Sequence, residues 1–150
     1  MFIPFLLGSK VDIPFAEKIV DHFKGYDIDY EIIVASAHKV PEKVFEIVNK
    51  YNKRDDIACY ITIAGRSNGL SGVVAANSVH PVIACPPYKD KDDMMVNIYS
   101  TLQMPSDTPV MTVIDPQNAA MAVLRITGIK DTSIQKKIAE RIKKIKADFN

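Results

Sequence analysis

The chain has 150 residues, 47% hydrophobic and 25% charged, which is enough for one domain that buries about two thirds of its unfolded surface and too apolar for disorder throughout. With 19 basic and 18 acidic side chains the net charge is only +1, so no global field draws nucleic acid or an anionic membrane, and any anion site has to be local. The apolar start, Met1 to Leu7, has no basic lead-in, and no segment approaches the roughly eighteen apolar residues of a membrane span; a cytoplasmic protein is expected.

In chain order, Phe2 to Leu7 reads as a buried strand, with Pro4 leaving its register open because proline donates nothing to a ladder. The loop Gly8-Ser9-Lys10-Val11-Asp12 follows, in which Gly8 permits a tight turn, Asp12 serves as helix N-cap and Pro14 stands just inside the helix. With the Ser9 hydroxyl, the free amides of that helix start form either a phosphate cradle or a plain structural turn. The stripe Ala16-Ile19-Val20-Phe23 is the helix. Tyr30 to Ala35 is the second strand, and its loop, Ser36-Ala37-His38-Lys39-Val40, runs into Pro41 and the stripe Val44-Ile47-Val48-Tyr51. His38 exchanges a proton near neutral pH and Lys39 holds an anion, so a histidine at a strand end among polar residues is a candidate base as well as a candidate structural residue.

Ala58 to Ala64 is the third strand. It leads into Gly65-Arg66-Ser67-Asn68-Gly69, where two glycines bracket three hydrogen-bond donors before the stripe Leu70-Val73-Val74-Asn77. The loop suits a small carboxylate; equally it is a capped turn with Arg66 in an ion pair. Pro81 to Cys85 is the fourth strand, after which the stiff Cys85-Pro86-Pro87-Tyr88 would wall a pocket. The stripe Met95-Ile98-Tyr99-Leu102 ends at Gln103-Met104-Pro105, a lid, an intersubunit contact or simply a helix terminus, and Val110 to Ile114 is the fifth strand. Cys59 and Cys85 lie in apolar runs without metal-ligand spacing and read as buried free thiols, and no metal site is expected.

Residues 131–149 differ from the rest. Ile134, Ile138, Ile142 and Ile145 alternate with lysines behind Asp131 and Thr132 as caps, a pattern that fits a helix docked on the core or on another subunit better than a basic arm for nucleic acid. The repeat of strand and helix calls for a single domain over 1–150. Its fold class is α/β, a three-layer α/β/α sandwich with a central parallel sheet, flavodoxin- or Rossmann-like, closed by the C-terminal helix.

Gly8-Ser9 with Asp12, then Ser36-Ala37-His38, the glycine-bearing third loop, Pro81-Val82-Ile83, Cys85-Pro86-Pro87 and Gln103-Met104-Pro105 together resemble the aminoimidazole ribonucleotide carboxylase family of purine biosynthesis over about residues 3–127. The family has a mutase class, which usually carries arginine after the catalytic histidine and a second histidine in a Gly/Ala-rich third loop. Lys39 and Arg66-Ser67-Asn68-Gly69 stand there instead and resemble the class II, animal-type carboxylase. The resemblance implies carboxylation of aminoimidazole ribonucleotide by carbon dioxide without ATP, metal or organic cofactor. His38, Lys39 and Ser67 would be catalytic; Gly8, Ser9, Asp12, Ser36, Ala37, Arg66, Asn68 and Gly69 would bind substrate. It also implies a homo-oligomer, commonly an octamer. Val11 departs from the family, which commonly has serine there, and so removes one hydroxyl expected on the substrate phosphate.

Overall fold

The structure, a computed structural model, describes residues 1–149. Five strands, β1 (Phe2–Leu7), β2 (Asp29–Val34), β3 (Tyr60–Ile63), β4 (Val82–Ala84) and β5 (Met111–Thr112), alternate with α1 (Ile13–Val20), α2 (Pro41–Tyr51), α3 (Gly69–Asn77), α4 (Lys91–Leu102) and α5 (Pro116–Gly128), and α6 (Thr132–Ala147) follows. All neighbouring strands pair in parallel, in the order β2-β1-β3-β4-β5. This is the flavodoxin-like α/β/α arrangement that the alternation predicts, and its switch point falls between β1 and β3.

Side-chain alternation sorts the core into two layers. Ile3, Phe5, Leu7, Ile61, Ile63 and Ile83 meet α1, α5 and α6 through Ala16, Ile19, Leu124 and Ile134. On the other face Leu6, Tyr60 and Val82 meet α2 and α3 through Val44, Val48, Tyr51, Leu70 and Val74. Burial of such side chains, at about 1.5–3 kcal/mol each, drives the fold.

Pro4 is accommodated by a step in register. The amides of Phe2 and Gly8 donate towards β3, so Pro4, in phase with them, faces β3 without a donor. There the pairing slips by one residue, from Phe2 opposite Ile57 to Phe5 opposite Ile61, while the β1–β2 ladder runs unbroken from Phe2 to Leu7.

Three elements differ from expectation. The helix α5 has no counterpart in the sequence reading; Asp115 caps it by accepting from the Asn118 amide, with Pro116 in its first turn. α4 forms where its stripe predicts but turns that stripe outward: Met95, Tyr99 and Leu102 are exposed, whereas Asn97 and Thr101 are buried. α6 docks only by its first half, with Ile134 and Ile138 buried and Ile142 and Ile145 exposed; Asp131 caps it. Cys59 and Cys85 are buried free thiols, and burial pushes both up to about 12, out of reach of thiolate chemistry at neutral pH. Among the described residues no helix is long and apolar enough to cross a membrane.

Candidate active site

Each ladder continues one residue past its strand. The amide of Gly8 donates to Ile63, Ala35 to Leu7, Cys85 to Thr62 and Val113 to Ala84, all at 2.9 Å. The loops after β1, β2, β3 and β4 therefore leave the sheet level with one another and converge on one cavity of about 720 Å³. Gly8, Ser9 and Asp12 line it from the first loop, Ser36, Ala37, His38 and Lys39 from the second, and Arg66 and Ser67 from the third.

The first loop is a short 3-10 turn, Lys10–Asp12, capped by the Ser9 hydroxyl, which accepts from the Val11 amide at 3.4 Å. That bond uses the oxygen as acceptor and leaves the O–H free to donate to an anion. Gly8 is not a left-handed turn residue, as Gly25 is the one described glycine with positive φ. Its bareness serves a close approach, because a Cβ there would lie 3.3 Å from the Ala64 Cβ across the switch point. Asp12 opens α1 by position, but its carboxylate makes no capping bond. Instead it is 9% exposed beneath the cavity.

Burial raises the Asp12 carboxyl above the ordinary value of 3.8, with a backbone hydrogen bond from Ser9 opposing. A raised carboxyl means that the folded chain holds its proton more tightly than the unfolded one. Stability therefore falls as pH rises through the window above 3.8, and the cost is fully present at neutral pH. Asp12→Asn should accordingly melt at a higher temperature than the parent at pH 7.5, with the gap closing below pH 4, while its affinity for substrate drops. Thermal melts at both pH values check this, and a variant less stable at pH 7.5 would contradict it.

The second loop is closed by the Lys39 and Val40 amides, which donate to the Ser36 carbonyl at 3.2 and 2.9 Å. The turn throws His38 and Lys39 outward, so that both are exposed at the cavity mouth. Opposite them, α3 begins at Gly69, where an added Cβ would lie 2.8 Å from His38 Nε2. The imidazole thus rests on the bare Cα of the helix start.

Three features shape the third loop. First, the left-handed residue is Arg66, at φ +60°, and neither bracketing glycine; this costs about 1–2 kcal/mol that its surroundings must offset. Second, the Asn68 side chain faces away from the cavity. Its Oδ1 accepts from the Ser71 amide and hydroxyl and its Nδ2 donates to Thr101 Oγ1 at 2.9 Å, while Ser71 Oγ continues to Thr62. It is the α3 cap, 5% exposed. Third, the Gly69 amide donates to the Ser67 carbonyl at 2.9 Å and is not open to a ligand. Ser67 remains exposed on the cavity, and the Arg66 guanidinium lies 3.7 Å from the Asp93 carboxylate.

Pro87 and Tyr88 wall the cavity as the sequence suggests, and Tyr88 meets Phe15 edge-on at 6.4 Å between ring centroids. Phe15, Lys18, Lys89, Asp93 and Asn97 also line it, with no signal in the sequence reading. Met104 and Pro105 lie elsewhere, beyond the end of α4: Met104 packs on Gly72, and with Asp107, Thr108 and Pro109 the two residues border a separate shallow depression. Cationic Lys39 and Arg66, hydroxyls of Ser9 and Ser67, a buried acid and one imidazole around a single cavity can bind an anionic sugar-phosphate-sized molecule and move a proton on it.

A family model described as AIR carboxylase matches residues 3–148. A phosphoribosylaminoimidazole carboxylase of Archaeoglobus fulgidus is 44% identical over 90% of this chain and 73% of its own length. An N5-carboxyaminoimidazole ribonucleotide mutase of Methanocaldococcus jannaschii is 43% identical over 94% of this chain and 88% of its own. The crystal structure of Treponema denticola PurE superposes with a TM-score of 0.85 at 38% identity, covering 98% of this chain and 95% of that one.

Proposed function

Since the chain belongs to the AIR carboxylase family of purine biosynthesis, we propose that it carboxylates 5-aminoimidazole ribonucleotide with carbon dioxide to 4-carboxyaminoimidazole ribonucleotide, reversibly and without ATP. The single observation that carries this reading is that His38, Lys39 and Ser67 share one cavity, with lysine rather than arginine after the histidine and no second histidine in the third loop.

The aminoimidazole ring is an electron-rich, enamine-like nucleophile. Its C4 attacks carbon dioxide, a carbon–carbon bond forms, and the electron pair of one C=O bond moves onto oxygen to give a carboxylate. The ring carbon then carries both its original hydrogen and the new substituent. His38 removes that proton, the C–H pair restores the aromatic ring, and the same imidazolium returns the proton in decarboxylation. Lys39 and the Ser67 hydroxyl stabilise the developing carboxylate. The Ser9 hydroxyl and Ser36 take the phosphate, Gly8 and Ala37 leave room beside it, and Asp12 accepts from the ribose hydroxyls. Asn68 and Gly69 act through the loop they shape, since their polar groups are already engaged. The absence of a hydroxyl at Val11, 81% exposed on the cavity, weakens phosphate binding without touching the chemistry.

Carboxylate stabilisation is strongest where water is excluded, yet His38, Lys39 and Ser67 are all exposed. A homo-oligomer, an octamer in the family's usual form, accounts for this, and the outward Met95, Val96, Tyr99 and Leu102 of α4 are a surface such an assembly would cover.

The deciding experiment supplies purified protein with aminoimidazole ribonucleotide plus bicarbonate, and separately with N-carboxyaminoimidazole ribonucleotide stripped of carbon dioxide. Product from the first mixture alone is expected; product from the second would make the chain a mutase, as the Methanocaldococcus relative is named. In the same assay Lys39→Ala should raise the carbon dioxide concentration needed for half-maximal rate about tenfold, the loss of one charge-assisted contact of about 1.4 kcal/mol. An unchanged dependence on carbon dioxide would remove Lys39 from the carboxylate end.

A further inference from the structure

The inward face of α4 is polar where a helix of this class normally packs with apolar side chains, and the loop after β3 hangs from it. Asn97, 3% exposed, accepts from the Arg66 amide at 2.6 Å and donates through Nδ2 to the Pro87 carbonyl at 2.7 Å. One amide thereby joins the loop after β3 to the wall after β4. The backbone of Gly65 lies against the same group, since a Cβ there would stand 3.2 Å from Nδ2. One turn on, Ser100 Oγ accepts from the Asn68 amide at 2.6 Å and Thr101 Oγ1 accepts from the Asn68 side chain. Ser67 is therefore pinned on both sides, and Arg66 is kept in its left-handed conformation, by one face of one helix.

We propose that Asn97 is a positioning residue that sets the width of the carboxylate end of the cavity by tying the Ser67 loop to the Pro87 wall. The inference deepens the functional reading above and rests on it. Asn97 borders the cavity, but each of its polar atoms already holds a backbone group, so it acts through Ser67 and Pro87 rather than on substrate. At neutral pH the carboxylate of the similarly sized aspartate accepts only, so it could serve Arg66 but not donate to Pro87.

Asn97→Asp tests this at nearly constant volume. The acceptor for the Arg66 amide survives, but an anionic oxygen then faces the Pro87 carbonyl and the tie opens. The KM for carbon dioxide should rise tenfold or more, that for aminoimidazole ribonucleotide should stay within twofold, and saturating carbon dioxide should restore most of kcat. Measured against the parent at each pH, the variant should recover as pH falls, because a protonated carboxyl can donate to Pro87 again. Ser100→Ala, which frees the other end of the loop, should shift the same KM if the first variant folds poorly. Equal rises in both KM values, or no change in either variant, would overturn the inference. If the parent turns over only the N-carboxy substrate, the carbon dioxide reading falls while the Asn97 inference is judged on the KM for that substrate. A parent silent on both substrates overturns the two together.

Discussion

His38→Asn should lower turnover by about 10³-fold or more in both directions while leaving nucleotide affinity within a few fold, the size expected when a positioned proton acceptor is removed. Asparagine keeps a similar reach and can donate a hydrogen bond, so the substitution removes proton transfer more than it removes volume. His38 is exposed and packs against the Cα of Gly69, so the fold has little reason to change. The proposed mechanism gives the imidazole one task, taking the proton from the ring carbon after carbon–carbon bond formation. Without it, C4 can still attack carbon dioxide, but the adduct reverts faster than water deprotonates it. Exchange of the C4 hydrogen with solvent in the presence of carbon dioxide, which runs through the carboxylated ring and back, should therefore disappear along with net turnover. Near-normal rates in this variant would mean that another group, such as Asp12 or Asp93 in the lining of the cavity, moves the proton.

Much of the fold is legible because strand and helix here have opposite periodicities. The run Ala58 to Ala64 is almost wholly apolar because a central strand of a parallel sheet is covered on both faces, and this run and Tyr30 to Ala35 lie within two residues of β3 and β2 at either end. The helix α5 is illegible for a physical reason: of its buried residues Ala119, Ala120, Thr127 and Gly128 are small or polar and carry little apolar signal, and they are inside because α1 and α6 pack over them. Its start was written locally in Asp115 and Pro116 and could have been found. On α4 the stripe correctly gives a helix and the wrong face. Nothing within the segment reveals that Asn97, Ser100 and Thr101 are needed by a loop thirty residues upstream.

The candidate site divides along the same line. That chemistry-bearing loops follow strands is a topological rule, and it selects His38, Lys39 and Ser67 from sequence because all three sit where a parallel ladder ends. Which way a side chain points is a tertiary matter. Asn68 reads equally as a ligand donor and as a helix cap, and the choice is made by Thr101 and Ser71, one of them 33 residues away. Gly69 reads as a source of a free amide, yet that amide is taken by Ser67, and what the structure uses is the hydrogen in place of its side chain.

That hydrogen gives the second large effect. Gly69→Ala should cost about 10²-fold in kcat with nucleotide affinity little changed, and the variant should be at least as stable as the parent. Alanine is the better helix former by about 1 kcal/mol, and Gly69 carries no positive φ that would oppose it, so α3 itself accepts the change. The three nearest atoms to the added Cβ all belong to one side chain, His38. The new methyl carbon would lie 2.8 Å from His38 Nε2 and 3.0 Å from Cε1, inside any contact distance, and an exposed imidazole relieves this by rotating away. A displacement of about 1 Å in a proton-transferring group is enough for a loss of this order. Stability and activity thus move in opposite directions, which separates displacement of His38 from general damage to the fold. Gly72→Ala, three residues along the same helix and meeting only the Met104 sulfur at 3.2 Å, is the control and should keep its activity. If Gly69→Ala retained full turnover, the contact between the helix start and His38 would carry no catalytic weight, and the base would have to be placed by substrate rather than by α3.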